Sequence, residues 1–108
     1  IISVKKTVAL FLRRTELGFI QAIREQQLWD EHARFVDGLF ERGLVMLAGP
    51  FAPDGTGALV ILNVETADEA RAIYAEDPWA HQQILLTEQA KEWTIFLDSA
   101  SQTPGKRG

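Results

Sequence analysis

Two short segments of this sequence are apolar at nearly every position. Residues 7–12 read Thr-Val-Ala-Leu-Phe-Leu, and residues 58–64 read Ala-Leu-Val-Ile-Leu-Asn-Val. Runs of this length, in which apolar and polar residues do not alternate, are typical of β-strands that are covered on both faces. A fold for this chain must therefore bury both faces of a sheet.

Helical spacing follows the first of these strands, from residue 16 to residue 42, with a predicted break near residues 28–30. One face of this helix is predicted to carry Leu28, His32, Phe35, Val36 and Leu39. Gly43 then predicts the end of the helix, because glycine readily adopts the left-handed conformation that often follows a helix.

The rest of the chain divides into short elements. Residues 44–48 predict a second strand, and the turn-forming residues 53–57 predict a hairpin to the strand at 58–64. The sequence from Thr66 to Glu69 matches a capping box that begins a second helix, and Asp77-Pro78 predicts a further helical turn. Residues 93–97 predict the last strand. The order is β-α-β-β-α-β, which is the split βαβ or ferredoxin-like α+β arrangement.

This arrangement leaves one face of the predicted sheet without a cover. Two helices can cover only one face of a four-stranded sheet, and the chain has no further element for the other face. A second copy packed sheet against sheet solves the problem, so we expect a homodimer that forms an α+β barrel. We expect residues 1–98 to form a single domain and residues 99–108, rich in Ser, Gly and Pro, to form a flexible tail.

Composition excludes several classes of protein. The 108 residues are 46% hydrophobic and 24% charged, which is typical of one globular domain and not of a disordered or membrane-spanning chain. The net charge is −4 and the basic residues form no run longer than a pair, such as Lys5 with Lys6 or Arg13 with Arg14, which argues against nucleic-acid binding. The sequence has no cysteine and shows no signal peptide. It begins with Ile, not Met, so we expect a trimmed chain, and we expect a cytoplasmic location.

His32 and Asp77 interrupt otherwise apolar helix faces. Burial of either group alone would be costly, whereas two helices side by side on one sheet face can bring them into a charge-assisted hydrogen bond. An Asp that orients an imidazole is a frequent way to build a general acid/base. From the residues alone, two alternatives stay open: His32 is a packing or surface residue, and Asp77 is only a helix cap.

Other residues are weaker candidates. Trp29, Phe51 and Trp79 line either an apolar pocket or the core, and Arg34 and Arg71 either hold a substrate carboxylate or lie in solvent. His81, one helical turn after Asp77, is either a second polar contact or an exposed residue. His32, Asp77 and His81 lack the spacing of a metal site, so no metal and no cofactor is predicted.

Several of these motifs together resemble the YCII-related (YciI-like) family. They are His-Ala-Arg-Phe-Val at 32–36, Gly43-Leu44, and Leu-Ala-Gly-Pro-Phe at 47–51. The segment 66–79, which ends Asp-Pro-Trp, and Trp93 in the last strand are also similar to that family. The resemblance covers residues 7–97, although residues 16–29 fit the family pattern only loosely.

The resemblance implies a ferredoxin-like subunit of a dimeric α+β barrel, with His32 and Asp77 as the active-site pair. A characterised relative is a dehydrochlorinase of a chlorinated hydroxyquinol, and muconolactone isomerase shares the broader architecture. We therefore predict lyase or isomerase chemistry on a small cyclic or acidic organic substrate, contacted by Arg34, Phe51, Trp79 and His81. The alternatives are a non-catalytic ligand-binding or assembly module and a cofactor-independent monooxygenase.

Overall fold

The chain folds as a four-stranded sheet with helices on one face. The computed structural model describes residues 5–16, 28–53 and 55–99. The elements in these ranges are β1 (Lys5–Arg14), α1 (Trp29–Glu41), β2 (Val45–Pro50), β3 (Gly57–Leu62), α2 (Ala67–Tyr74), α3 (Pro78–His81) and β4 (Leu85–Ile95). This is the predicted ferredoxin-like order, and α3 is the further helical turn predicted at Asp77-Pro78, so the fold class is confirmed.

The sheet has the strand order β2-β3-β1-β4, and each pair of neighbouring strands is antiparallel. β1 lies at the centre, where Leu10 is opposite Val60 of β3 and opposite Ala90 of β4. The hairpin predicted between the second and third strands is confirmed by the pairing of β2 with β3.

Both faces of the central strands are buried, as the sequence predicts. On the helix-covered face the core contains Val8, Leu10, Leu12, Leu39, Val45, Val60, Leu62, Val64, Ala70 and Tyr74. On the opposite face, Thr7 and Ala9 of β1 and Ile61 of β3 are buried. The edge strands of that opposite face nevertheless expose two large apolar side chains, Leu47 and Trp93, which are 67% and 47% accessible.

Both predicted helix starts are confirmed. The backbone N–H of Glu69 donates to Thr66 Oγ1 over 3.2 Å, and the Thr66 hydroxyl donates to the Glu69 carboxylate over 3.0 Å. Asp77 accepts the backbone N–H of Trp79 at the start of α3. None of the helices in the described ranges is long and apolar enough to span a membrane.

One predicted strand boundary is wrong. The last strand begins at Leu85, eight residues before the predicted start at residue 93. β4 is an edge strand with many exposed polar residues, so its sequence lacks the apolar run by which the central strands are recognised. Helix α1 begins at Trp29, within the break predicted near residues 28–30, because Leu28 has a φ of 63° and cannot continue a right-handed helix. The predicted helical residues 17–27 and the tail from residue 100 lie outside the described ranges.

Candidate active site

His32 and Asp77 come together from two separate helices. His32 lies in the first turn of α1, where its backbone N–H donates to the carbonyl of Leu28 over 2.9 Å. Nδ1 of His32 lies 2.9 Å from Oδ1 and 2.8 Å from Oδ2 of Asp77. An ionised carboxylate only accepts hydrogen bonds, so the proton of this interaction belongs to Nδ1 of the imidazole.

The Asp77 carboxylate makes two kinds of contact at once. Oδ1 accepts the backbone N–H of Trp79 over 2.9 Å, and both oxygens face His32. The side chain of Asp77 is only 2% exposed, whereas that of His32 is 13% exposed. Helix capping and the contact with His32 therefore occur together, although the sequence presents them as alternatives. The cap fixes the carboxylate, and the carboxylate in turn orients the imidazole.

Two tryptophan side chains lie next to the imidazole ring of His32. The ring of Trp79 stacks on that of His32, with centroids 3.8 Å apart and planes 5° from parallel. Trp29 lies at a tilt to both rings, with centroids 6.1 Å from His32 and 5.8 Å from Trp79. The stacked indole of Trp79 therefore covers one face of the imidazole.

The imidazole of His32 lines a cavity of about 610 Å³ on the helix-covered side of the sheet. Residues of α1, α2, α3 and the four strands contribute to its walls, which are mainly apolar. The titratable residues among those that line it are Arg14, His32, Asp37 and Tyr74. A cavity of this size that combines apolar walls with a few polar groups is typical of small-molecule sites.

Comparison with protein-family models gives a match to the YCII-related domain over residues 9–94. The chain belongs to the YCII-related family. This membership confirms the resemblance that the motifs around His32 and Asp77 indicate. A sequence comparison with curated proteins finds no significant match.

The YCII-related fold is also recognised among solved structures. The chain is similar to 5-chloro-2-hydroxyhydroquinone dehydrochlorinase from Burkholderia phenoliruptrix AC1100 in complex with 2,5-dihydroxybenzoquinone. The TM-score is 0.64 at 16% sequence identity, and the match covers 81% of this chain and 92% of the other. At this level of identity the similarity shows a common fold.

In this YCII-related chain, the four residues predicted to contact a substrate differ in their position relative to the cavity. Trp79 lines the cavity and touches His32. Arg34 and His81 are exposed and do not belong to the cavity lining, nor does the half-exposed Phe51. A contact of Arg34, Phe51 or His81 with a substrate stays a prediction.

Sequence reasoning misses two polar residues of the cavity. Arg14 is passed over as one of a basic pair, although it continues the alternate positions Val8, Leu10 and Leu12 that face the helices. Tyr74, the last residue of α2, is not among the candidate residues that the sequence indicates. In the described ranges, no group of three or more His, Asp or Glu residues is placed to hold a metal ion.

Tyr74 is held in its protonated form. Burial raises the pKa of the Tyr74 hydroxyl, and the negative charge of Asp77 raises this pKa further. Among the described residues the Tyr74 ring has an edge-to-face contact with Phe35, with centroids 5.7 Å apart. The neutral Tyr74 hydroxyl can therefore donate a hydrogen bond.

The titration of Tyr74 can be measured directly, because it is the only tyrosine in the chain. A raised pKa in the folded state means that the stability from the neutral hydroxyl is present below the unfolded pKa of about 10 and is lost as the pH rises above it. We expect the tyrosinate absorbance to appear at higher pH in the folded protein than in urea. Tyr74→Phe has no hydroxyl that ionises, so its free energy of unfolding should fall less than that of the wild type as the pH rises above about 10. Equal titration curves with and without urea would contradict the account.

Proposed function

We propose that this protein is a small-molecule enzyme in which His32 is a general acid/base and Asp77 orients it. One observation carries the proposal: a buried carboxylate lies 2.8 Å from Nδ1 of an imidazole that lines a cavity. The pairing leaves Nε2, on the opposite side of the ring, for a ligand in the cavity. The lone pair of Nε2 can take a proton, and the carboxylate stabilises the resulting imidazolium.

The reaction class that fits these groups is proton transfer coupled to elimination or isomerisation. In a dehydrochlorination, His32 takes a proton from the substrate while the C–Cl bond breaks and chloride leaves with its electron pair. In an isomerisation, the same imidazole returns the proton at another atom. Neither reaction needs an oxidant or a reductant, so the proposal includes no cofactor.

The proposed substrate is a small cyclic or acidic organic molecule. The cavity volume of about 610 Å³ suits one ring with its substituents. Trp29 and Trp79 offer flat apolar surfaces next to the imidazole. The dehydrochlorinase with the similar fold binds 2,5-dihydroxybenzoquinone, a molecule of this kind.

We also propose that two copies pack through the sheet faces that expose Leu47 and Trp93. Large apolar side chains on one face of a sheet are typical of a surface that another protein covers. We expect sedimentation of the wild-type protein to show a dimer, and Leu47→Asp to shift it to the monomer. Phe40→Asp, which changes an exposed apolar residue on α1, is the matched control and should stay dimeric. A monomeric wild-type protein would contradict the proposal.

We place this dimer in the cytoplasm, consistent with a chain without cysteine.

The proposed function is tested with the wild-type chain and 5-chloro-2-hydroxyhydroquinone. We expect enzyme-dependent release of chloride without uptake of oxygen. In parallel, small cyclic acids without chlorine are incubated in heavy water, and mass spectrometry detects enzyme-dependent deuterium incorporation. Oxygen uptake would favour a monooxygenase. Absence of both chloride release and deuterium incorporation would overturn the proposed function and favour a ligand-binding module.

A further inference from the structure

Arg14 is a buried cation in the cavity wall. It is the last residue of β1, and only 7% of its surface is exposed. In the described part of the lining it is the only Lys or Arg residue. Arg34 and Arg71, the arginines for which the sequence predicts a carboxylate contact, are exposed and outside this lining.

The backbone around Arg14 is fixed on both sides. The N–H of Arg14 donates to the carbonyl of Thr56 over 2.7 Å, and the N–H of Thr15 donates to that of Ile84 over 2.9 Å. Arg14 also pairs with Leu85 of β4 in the sheet. The guanidinium therefore extends from a rigid part of the sheet, and rigid elements position a binding group well.

The charge and shape of a guanidinium select the ligand. Arginine stays protonated at all relevant pH values, and its five N–H donors form a planar fork that can hold several acceptors at once. Attraction between charges is stronger next to apolar walls than in water, since the local dielectric is lower. The Tyr74 hydroxyl adds a second group that remains protonated and can donate. Both groups favour a ligand that accepts hydrogen bonds and carries negative charge.

We propose that Arg14 is the anion-binding residue of this cavity and that the substrate is a planar organic oxyanion. The oxyanion is a carboxylate or a deprotonated ring hydroxyl, and either one suits the guanidinium fork. Arg14 holds the charged oxygen, and the reacting part of the ring then lies beside His32. This inference rests on the proposed function for the role of His32, but anion binding itself can be measured without turnover.

The test compares anionic and neutral ligands of similar shape by titration calorimetry. One pair is 2,5-dihydroxybenzoquinone, which is anionic near neutral pH, and 2,5-dimethoxybenzoquinone. The other pair is benzoate and benzamide, and the two pairs distinguish a ring oxyanion from a carboxylate. We expect the wild-type protein to bind at least one anion about tenfold or more tightly than its neutral partner, as is typical of a charge-assisted contact.

The variants identify the residue responsible. Arg14→Gln should abolish the preference for the anion, and Arg14→Lys should keep part of it, because a lysine keeps the charge and lacks the fork. Arg42→Gln is the control for loss of an exposed arginine outside the cavity lining and should bind as the wild type does. His32→Ala should keep the preference for the anion, because it leaves Arg14 in place. A wild-type protein that prefers the anion but shows no turnover would refute only the proposed function.

Three results would overturn the inference. They are equal binding of anion and neutral partner by the wild type, no binding of either anion, and a preference that survives in Arg14→Gln. If circular dichroism shows that Arg14→Gln is unfolded, the inference is tested by the affinities of the wild type and of Arg14→Lys for the anion and its neutral partner. An Arg14→Lys variant with the full wild-type preference for the anion would then show that the planar guanidinium is not needed. A wild-type protein without any preference for the anion would exclude an anion site at Arg14.

Discussion

Replacement of His32 by alanine is expected to slow chloride release from 5-chloro-2-hydroxyhydroquinone by about 10²–10⁴-fold, the usual contribution of a general acid/base. The reason is that Nε2 of His32 is the group proposed to take the substrate proton. His32→Gln should be equally slow, since a glutamine can donate an N–H to the Asp77 carboxylate but cannot exchange a proton at neutral pH. Initial rates at saturating substrate measure the effect.

Two controls make this result specific to His32. His81→Ala removes the other histidine of the chain, which is exposed at the end of α3 and is not part of the cavity lining. It should slow the rate far less than His32→Ala does. Thermal unfolding of His32→Gln should be close to that of the wild-type protein, because the hydrogen bond to Asp77 is retained. A His32→Gln variant that folds and keeps the wild-type rate would contradict the catalytic role and leave His32 as a structural residue.

Two substitutions of Asp77 are expected to differ in their effects on stability and on the reaction rate. Asp77→Ala removes both the cap of α3 and the partner of His32, so we expect the free energy of unfolding to fall by about 2–4 kcal/mol. Asp77→Asn keeps an oxygen that can accept the N–H of Trp79, and we expect a loss of only about 1 kcal/mol. The same Asn cannot stabilise an imidazolium, so the rate of Asp77→Asn should fall by about 10²-fold or more.

Urea unfolding and initial rates on the same preparations test this separation. Thr66→Ala is a matched control, since it removes the cap of α2 far from the histidine and should cost about 1 kcal/mol without changing the rate. If Asp77→Asn were as active as the wild type, Asp77 would be a helix cap and nothing more. If it were as unstable as Asp77→Ala, the proposed retention of the cap would be wrong.

Local patterns predict most of this fold. The central strands are apolar on both faces, and the capping residues Thr66 and Asp77 define their helix starts without any knowledge of tertiary structure. The order of elements then places two helices on one sheet face. That placement is why the sequence alone indicates His32 and Asp77, 45 residues apart in the chain, as a candidate pair.

Other features depend on tertiary contacts that no local pattern shows. β4 gains its conformation by pairing with β1, so its polar, exposed sequence predicts only its last third correctly. Arg14 becomes a cavity residue because β1 extends two residues beyond its apolar run. The stacking of Trp79 on His32 depends on how α3 packs against α1, and sequence spacing alone does not separate it from ordinary core packing.

The central claim is that His32 presents Nε2 to a ligand while Asp77 holds Nδ1. The most direct measurement is ¹⁵N NMR of the histidine side chains in the wild-type protein during titration with 2,5-dihydroxybenzoquinone, with signals assigned from His81→Ala. The account predicts that the Nε2 resonance of His32 shifts with the ligand, while the resonances of His81 stay in place. Resonances of His32 that remain unchanged throughout the titration would contradict it.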